Sequence, residues 1–249
     1  MTLWGIDLWA AMLIFARLGA MMMLLPGFSE PAVPARIRLG LALALTLCLA
    51  GAIAPRIPSM PEDTLGAAGM VVGEVLIGVM IGAGARFLMS ALATAGQIMG
   101  LESGLSFAQT ADPTANASGQ IFAVFLGLMG ATLIFSSGLH RVFIAGMAGS
   151  YEVFTPGAAT PVGDAAALAV DMTSKSFRTG FQIAAPVVVA GLVFRVGLGA
   201  LARLVPSIQV FFVALPLQLL GAFAVIALGL STGMLMWLSS LNEYARALN

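Results

Sequence analysis

Four charged residues interrupt long apolar stretches of this sequence. They are Arg17 in IFARLGAMMMLLP, Glu74 in VVGEVLIG, Arg86 in GARFLMS and Arg195 in LVFRVGLG. Because a charge in an apolar environment is costly, such residues normally face protein, water or an opposite charge. They are candidates for a buried ion pair that braces the fold, for a proton or ion relay, or for residues placed in a protein assembly rather than in lipid. A relay needs at least two carboxylates within reach, and Glu74 is the only acid deep inside an apolar run.

The other reactive side chains form no pattern typical of catalysis or metal binding. Cys48, the single cysteine, lies in the apolar run LALALTLCLA, where we expect a buried and inert thiol. His140 is the single histidine, and no cysteine or carboxylate cluster lies beside it in the sequence. The sequence also contains no HExxH motif. We therefore expect no enzymatic activity, no metal and no cofactor.

The composition is that of an integral membrane protein. Of 249 residues, 60% are hydrophobic and only 9% are charged, and the mean hydropathy is +1.02. Soluble domains carry about 25% charged residues. Eleven lysines and arginines balance eleven aspartates and glutamates, so the chain lacks the basic character typical of nucleic-acid binding. We expect membrane lipid around it, and no nucleic acid.

Six apolar segments are long enough for membrane helices, which need about 20 residues each. They cover about 6–25, 37–54, 65–95, 120–137, 177–202 and 208–241, and the fourth continues after Gly138 as a second helical piece. Prolines and glycines at the junctions, such as Pro26 and Pro55, are expected helix terminators. The sequence therefore predicts an all-α, polytopic integral membrane protein of about six hydrophobic helices. Glycines three and four residues apart predict close helix packing, either within one bundle or on other subunits.

Prolines inside the apolar segments predict kinked helices and hairpins. Pro186 in GFQIAAPVVVAGL and Pro216 in FFVALPLQLL each lie inside a helical segment, where proline frees a carbonyl group and bends the helix. Between them, RLVPSIQ (203–209) is typical of a tight turn. The C-terminal part is therefore predicted to be a bent helical hairpin with its tip at Pro206.

The segment GLSFAQTADPTANASGQ (104–120) differs from its apolar surroundings. It has one charge, Asp112, and one large aromatic side chain, Phe107, among mostly small or neutral polar residues. Two to eight residues usually suffice to connect two helices. A segment of this length indicates either a functional element or a long loop that packs on the helix bundle.

Several of these motifs together resemble one family. FARLGAMMMLLP (15–26), PAVPARIRLGLALAL (31–45) and above all AGQIMGLESGLSFAQTADP (95–113) are similar to blocks of the flagellar biosynthetic protein FliR family and its type III secretion homologues. The likeness continues, in the family's order and over nearly the whole chain, through Glu74 with Gly78, IFSSGLH (134–140), FxxGFQIAAPV (177–187) and RLVPSIQVFFVALPL (203–217). Leu139 departs from the family pattern, which has a polar residue near this corner.

The resemblance implies a non-enzymatic core subunit of a protein export gate. It implies that residues 1–249 form a single FliR-like domain, with a FliP-like part over about 1–175 and a FliQ-like helical hairpin over about 176–249. The expected partners are FliP-like and FliQ-like subunits in a helical assembly, FlhB-like and FlhA-like export proteins, and unfolded flagellar or injectisome cargo. The expected location is the bacterial inner membrane, at the flagellar basal body.

The resemblance also places a pore-closing plug on residues 104–120, where the alternative is a long packed loop. A plug must be held weakly enough to be displaced, and short side chains bury little apolar area each. The residues predicted to form it are Gly104, Leu105, Ser106, Phe107, Ala108, Asp112, Pro113, Asn116 and Gly119.

The methionine triplet Met21, Met22 and Met23 is open to two interpretations. Methionine adapts its shape to irregular partners, so the triplet is a candidate seal around a passing polypeptide. The alternative is that these side chains fill core or lipid-facing positions.

A secondary transporter for small solutes is the main rival function. Broken helices line substrate sites in such proteins, and the two proline-tipped hairpins would suit that architecture. The shortage of carboxylates inside the apolar segments and the lack of a clear internal repeat disfavour this reading.

Overall fold

The fold is a set of seven α-helices in the described part of the chain. The computed structural model describes residues 2–3, 6–31, 33–104, 121–158, 162–204 and 210–248. The helices are α1 (Leu8–Leu24), α2 (Ala35–Ile53), α3 (Thr64–Glu102), α4 (Ile121–Ser136), α5 (Leu139–Val153), α6 (Val162–Leu204) and α7 (Val210–Arg246). Two short strands, β1 (Thr2–Leu3) and β2 (Ile6–Asp7), pair antiparallel before α1, and a 3₁₀ turn at Ala54–Arg56 follows α2. The predicted all-α class is confirmed.

Acidic residues cap the N-terminal ends of two helices, α1 and α3. The Asp7 carboxylate accepts a hydrogen bond from the backbone N–H of Trp9 (3.3 Å), at the start of α1. The Asp63 carboxylate accepts from the N–H groups of Leu65 and Gly66 (3.2 Å each) before α3. Such caps satisfy N–H groups that have no partner within the helix. These polar residues therefore set where the apolar helices start.

The six predicted apolar segments each contain a helix, but two helices are longer than predicted. The fourth segment forms α4 and α5, which meet at a 73° bend where Gly138 has a left-handed φ of 75°. Helix α3 runs on to Glu102 instead of ending near residue 95, and α6 begins at Val162 instead of residue 177. The early turns of α6 carry Asp164, Asp171 and Lys175, so a search for apolar residues alone does not find them.

Within the described ranges, four helical stretches are long and apolar enough to cross a membrane. They are Ala35–Arg56, Thr64–Glu102, Gly163–Leu204 and Ala214–Arg246, and the bent pair of α4 and α5 makes a fifth if it is one span. Helix α1 is a shorter apolar helix. Cys48 lies exposed on α2, not buried as expected, because most of that apolar helix faces away from the rest of the chain. The chain is a polytopic membrane protein.

The chain divides into two compact units. The first unit contains Met1–Phe87, Ala131–Thr173 and Ser240–Asn249, and the second contains Leu88–Gly130 and Ser174–Ser239. This division follows packing, and the division at about residue 175 that the resemblance implies stays a prediction.

In the first unit, α1 packs closely on the early part of α3 because two glycines leave room for it. A Cβ atom at Gly78 would lie 2.5 Å from the Arg17 carbonyl oxygen, and one at Gly82 would lie 2.8 Å from the Leu24 Cβ. Leu13, Ile14, Leu18, Met21 and Met22 of α1 are buried within the chain. Glycine therefore sets the distance between these two helices.

A buried ion pair joins three elements of the first unit. Arg17 Nε lies 2.6 Å from Glu74 Oε2, and the two side chains are 0% and 1% exposed. Arg17 Nη1 donates to the carbonyl oxygens of Ser150 (3.1 Å) and Phe154 (2.9 Å), at the C-terminal end of α5. The Arg17 guanidinium also lies 4.1 Å from the centre of the Tyr151 ring. One arginine on α1 therefore connects α3 and α5.

In the second unit, the core forms around one tryptophan and two close helix contacts. Trp237 is fully buried and donates from Nε1 to the Leu88 carbonyl oxygen (2.9 Å). A Cβ at Gly96 would collide with the backbone of Ala123, and one at Gly180 would lie 2.7 Å from the Ala91 carbonyl oxygen. Backbone contact between helices is again possible only because these residues are glycine.

We expect the Gly96→Ala substitution to destabilise the protein by about 1–3 kcal/mol, because the added methyl group forces α3 and α4 apart. The measurement is the midpoint of thermal unfolding of the purified full-length chain. Gly127→Ala on α4 is the matched control, since a Cβ there meets nothing within 4 Å. That change is expected to be neutral or stabilising by about 0.4–1 kcal/mol. Equal effects at the two positions would contradict the packing described here.

We expect Glu74→Gln to destabilise the protein by about 3–5 kcal/mol, because it leaves the buried Arg17 charge without its counter-ion. The control is Arg56→Ala, which breaks the Arg56–Glu152 pair (3.2 Å), whose side chains are 50% and 66% exposed. Exposed pairs contribute about 0–1 kcal/mol. The stability of both variants is measured by thermal unfolding and by the yield of folded protein. A loss of stability in Arg56→Ala as large as that in Glu74→Gln would contradict a special role for the buried pair.

Candidate functional site

The predicted plug begins where α3 ends. Gly104 follows α3 with a left-handed φ of +81°, and its N–H lies 3.4 Å from the Leu101 carbonyl oxygen. Glycine adopts this conformation without steric strain, which suits a helix end. The other predicted plug residues lie outside the described residues: Leu105, Ser106, Phe107, Ala108, Asp112, Pro113, Asn116 and Gly119. Their role stays a prediction.

Polar contacts hold the end of α3 just before this segment. Arg195 Nη2 on α6 lies 2.8 Å from Glu102 Oε2, with side-chain exposures of 52% and 19%. Gln218 Nε2 on α7 donates to the Glu102 carbonyl oxygen (2.8 Å). Among the described residues, Glu102 Oε2 has no well-aligned hydrogen bond, so the Arg195 contact is mainly electrostatic. We call Glu102, Arg195 and Gln218 the α3-end cluster, and it ties α3, α6 and α7 together within the second unit.

A small cavity lies beside the α3-end cluster. Its volume is about 110 Å³, and its walls include Glu102, Gly191, Phe194 and Gln218. Most of the wall is apolar. A Cβ at Gly191 would lie 2.6 Å from the Glu102 carboxylate, so glycine at this position gives the carboxylate its room.

Arg86 lies exposed on α3 and contacts the turn that follows α1. Its Nη1 donates to Ser29 Oγ (2.7 Å), and Ser29 Oγ in turn lies 3.2 Å from the Leu24 carbonyl oxygen. The structure thus brings Arg17 together with Glu74, brings Arg195 together with Glu102, and gives Arg86 a hydroxyl partner.

The methionine triplet lies largely inside the first unit. Met21 and Met22 are buried, and Met23 is half-buried. Two of the three side chains therefore fill a core position within this chain. Their use as a seal around a passing polypeptide stays a prediction.

The prolines predicted to bend the C-terminal helices lie inside continuous helices. Pro186 is within α6 and Pro216 is within α7. Pro206, the predicted hairpin tip, lies outside the described residues.

Several residues of these contacts were not found from the sequence. Glu102 and Gln218 lie more than a hundred positions apart, and nothing in their local sequence shows that they meet. Tyr151 follows the bend and looks like any aromatic residue near a helix end. The one signal in the sequence is Arg195 itself, because an arginine inside an apolar segment needs an acidic partner. This predicts a carboxylate nearby but does not identify it as Glu102.

One short motif suggests catalysis, and its setting does not support it. GLSTG (229–233) matches the GxSxG pattern of serine hydrolases, which requires a sharp turn between a strand and a helix. Ser231 instead lies within α7. Among the residues that the structure describes, no group of three His, Cys, Asp or Glu side chains is placed to hold a metal ion.

Comparison with known proteins identifies the family. The family model described as "Bacterial export proteins, family 1" matches residues 8–244. Flagellar biosynthetic protein FliR of Caulobacter vibrioides is 43% identical over 237 residues, which cover 95% of this chain and 94% of the relative. The FliR of Escherichia coli is 31% identical over 206 residues, covering 82% and 77%, and that of Bacillus subtilis is 29% identical over 231 residues, covering 91% and 88%.

These matches cover nearly all of the helices described above and confirm the resemblance seen in the sequence. The chain belongs to family 1 of the bacterial export proteins, the family of flagellar biosynthetic protein FliR.

Proposed function

We propose that the chain is a non-enzymatic core subunit of the flagellar protein export gate in the bacterial inner membrane. In this proposal it lines part of the pore through which unfolded flagellar subunits pass, together with FliP-like and FliQ-like subunits. FlhB-like and FlhA-like proteins lie alongside, at the flagellar basal body. Family membership supports the export role, and the helix lengths support an assembly with other proteins.

The observation that carries the proposal is the length of three apolar helices. Helices α3, α6 and α7 contain 39, 43 and 37 residues, which correspond to about 58, 64 and 55 Å at 1.5 Å per residue. The hydrocarbon core of a bilayer is about 30 Å thick, and membrane helices tilt by at most about 40°. Lipid alone does not cover α3 or α7 over their full length. In α6 the early turns carry Asp164, Asp171 and Lys175, and only the part after them needs an apolar cover.

The apolar surfaces of these helices need a cover that the rest of this chain does not provide. Within the apolar windows of α3, α6 and α7, only 39%, 22% and 22% of the residues are buried inside the chain. Val193 and Val196 on α6 are 65% and 68% exposed, and Leu228 on α7 is 85% exposed. Partner helices provide such a cover, which supports a subunit of a larger helical assembly.

A pore for unfolded chains needs a closing element, because an open one leaks ions. We assign that role to residues 104–120, whose small side chains provide little apolar holding energy. The α3-end cluster supports this assignment, since it fixes the point from which the segment leaves α3. In this proposal, the segment is fixed at the end of α3 and is bound only weakly after that point.

The rival function, transport of a small solute, gains no support from the charged residues. Its best candidate for ion coupling is Glu74, which lies in an ion pair with Arg17 at 2.6 Å. A carboxylate that is neutralised by an arginine is a poor site for a coupling cation.

We expect the chain to purify in a complex when it is co-expressed with FliP-like and FliQ-like proteins. The measurement is the mass of the intact complex by native mass spectrometry, which also gives the stoichiometry. Expression alone should give less folded protein, because the exposed apolar helices then lack their cover. A stable, monodisperse monomer that binds a small solute would contradict the proposal.

We expect deletion of residues 106–118 to leave this complex assembled and to make cells leak small ions. The readouts are ion leak in cells and the mass of the purified complex, measured on the same variant. Arg56→Ala is the control, since it breaks only an exposed ion pair and should leave the leak unchanged. An unchanged leak in a correctly assembled deletion complex would rule out the plug role while leaving the subunit role intact.

A further inference from the structure

A cavity lies beside the buried Arg17–Glu74 pair, on the side of α3 that faces the turn after α5. Its volume is about 230 Å³, and polar and apolar atoms contribute to its wall in similar measure. The residues that line it are Gly66, Gly69, Met70, Gly73, Glu74, Gly157 and Ala158. The wall thus combines a buried carboxylate with a run of residues that have little or no side chain.

Two of the glycines on this face of α3, Gly66 and Gly69, do not serve close helix packing. Gly66, Gly69 and Gly73 recur at spacings of three and four residues, so they share one side of the helix. A Cβ at Gly69 would meet nothing within 4 Å, and one at Gly66 would meet only Pro61 and Asp63 atoms, at 3.5 Å or more. This contrasts with Gly78, where a Cβ would lie 2.5 Å from the backbone of α1. Gly66 and Gly69 leave open space.

The ion pair beside this space has unsatisfied hydrogen-bonding capacity. Glu74 Oε2 contacts Arg17, whereas Oε1 accepts only a long hydrogen bond from the Gly157 N–H (3.4 Å) among the described residues. Arg17 Nη2 is buried and has no hydrogen-bond partner in the part of the chain that the structure describes. Buried polar atoms are normally satisfied by protein groups or by ordered water. Glu74 lines the cavity, whereas Arg17 is not among its lining residues. The atom that a ligand in this cavity can serve is therefore Glu74 Oε1, which needs a donor.

Water meets this need better than other ligand classes. A cation is disfavoured because Arg17 already neutralises the one carboxylate that lines the cavity, and an anion is disfavoured because Glu74 would repel it. An apolar ligand would leave the polar wall unsatisfied. A water molecule both donates and accepts, and it needs about 10–15 Å³ of space, so the cavity has room for several.

We propose that the cavity bounded by Gly66, Gly69, Gly73 and Gly157 is a water-binding site that hydrates the Glu74 carboxylate of the buried Arg17–Glu74 ion pair. Gly66 and Gly69 keep the space open. Gly157 has a positive φ (77°), lies close to Met70, and donates its N–H to Glu74 Oε1. Hydration lowers the desolvation cost of burying the two charges. This site is independent of the export role proposed above.

The first test is labelling by hydroxyl radicals produced from bound water under X-ray irradiation. Met70 lines the polar cavity, and Met80 lines an almost wholly apolar groove on the same helix. Both side chains are half-buried, so they form a matched pair. In the purified full-length chain, with whatever partners co-purify, we expect Met70 to be oxidised several-fold faster than Met80. Equal rates would overturn the proposal.

The second test fills the cavity. In Gly69→Leu, the new side chain displaces the water, so we expect slower Met70 oxidation and a lower midpoint of thermal unfolding. Gly40→Leu on α2 is the control, because a Cβ there also meets nothing within 4 Å and Gly40 does not line the cavity beside Glu74. If the cavity is dry, Gly69→Leu adds apolar contact and raises the midpoint above that of the control, which would overturn the proposal. Gly69→Ala provides the same comparison if the leucine variant does not fold.

Discussion

The Arg17–Glu74 ion pair is the interaction on which the architecture of the first unit depends. Two charges are almost fully buried at 2.6 Å, and such burial is tolerated only when the geometry is good and the remaining polar atoms find partners. The carbonyl groups of Ser150 and Phe154 provide partners for the arginine, at the end of α5 where the helix dipole is negative. Helices α1, α3 and α5 must therefore meet at one register, because a shift of a single turn would leave both charges unpaired.

The apolar contacts of the same unit do not define this register by themselves. Inside a membrane the hydrophobic effect gives no preference for helix–helix over helix–lipid contact, and close packing depends on small residues. Gly78 and Gly82 follow Glu74 at intervals of four residues, so the same face of α3 carries the charge and the two glycines that receive α1. The ion pair selects the register, and the glycines allow the backbones to approach once it is selected. The second unit is similar: the polar contacts of the α3-end cluster select the register, and Gly96 allows the backbones to approach.

The helices could be predicted from the sequence, whereas the polar contacts between them could not, because helices depend on local sequence and contacts depend on the folded chain. Helix existence depends on local apolar runs and on local terminators such as Pro26 and Gly138, and both are visible in a short window. The early turns of α6 were missed because Asp164, Asp171 and Lys175 break the apolar pattern without breaking the helix. Partner choice is a property of the folded chain. Arg195 meets Glu102, and Gln218 meets the Glu102 carbonyl group, across long sequence separations.

The plug segment marks a different limit. Its small side chains indicate that it binds weakly to its surroundings, but the composition does not identify the residues that it contacts. Only Gly104 of the segment falls within the described residues.

The placement of polar and apolar groups in this chain is the reverse of that in a soluble protein, and this has a consequence for assembly. Its strongest described polar interaction lies inside, whereas large side chains such as Val196 and Leu228 are exposed. Apolar surfaces associate with little directional preference. If the chain contacted its partners before its own helices had packed in the correct register, many incorrect arrangements would also bury apolar area. An internal ion pair with three helical partners removes most of those arrangements, because each of them leaves a buried charge uncompensated. The buried charges are therefore best understood as the means by which a very apolar subunit reaches one conformation before its exposed helices are covered.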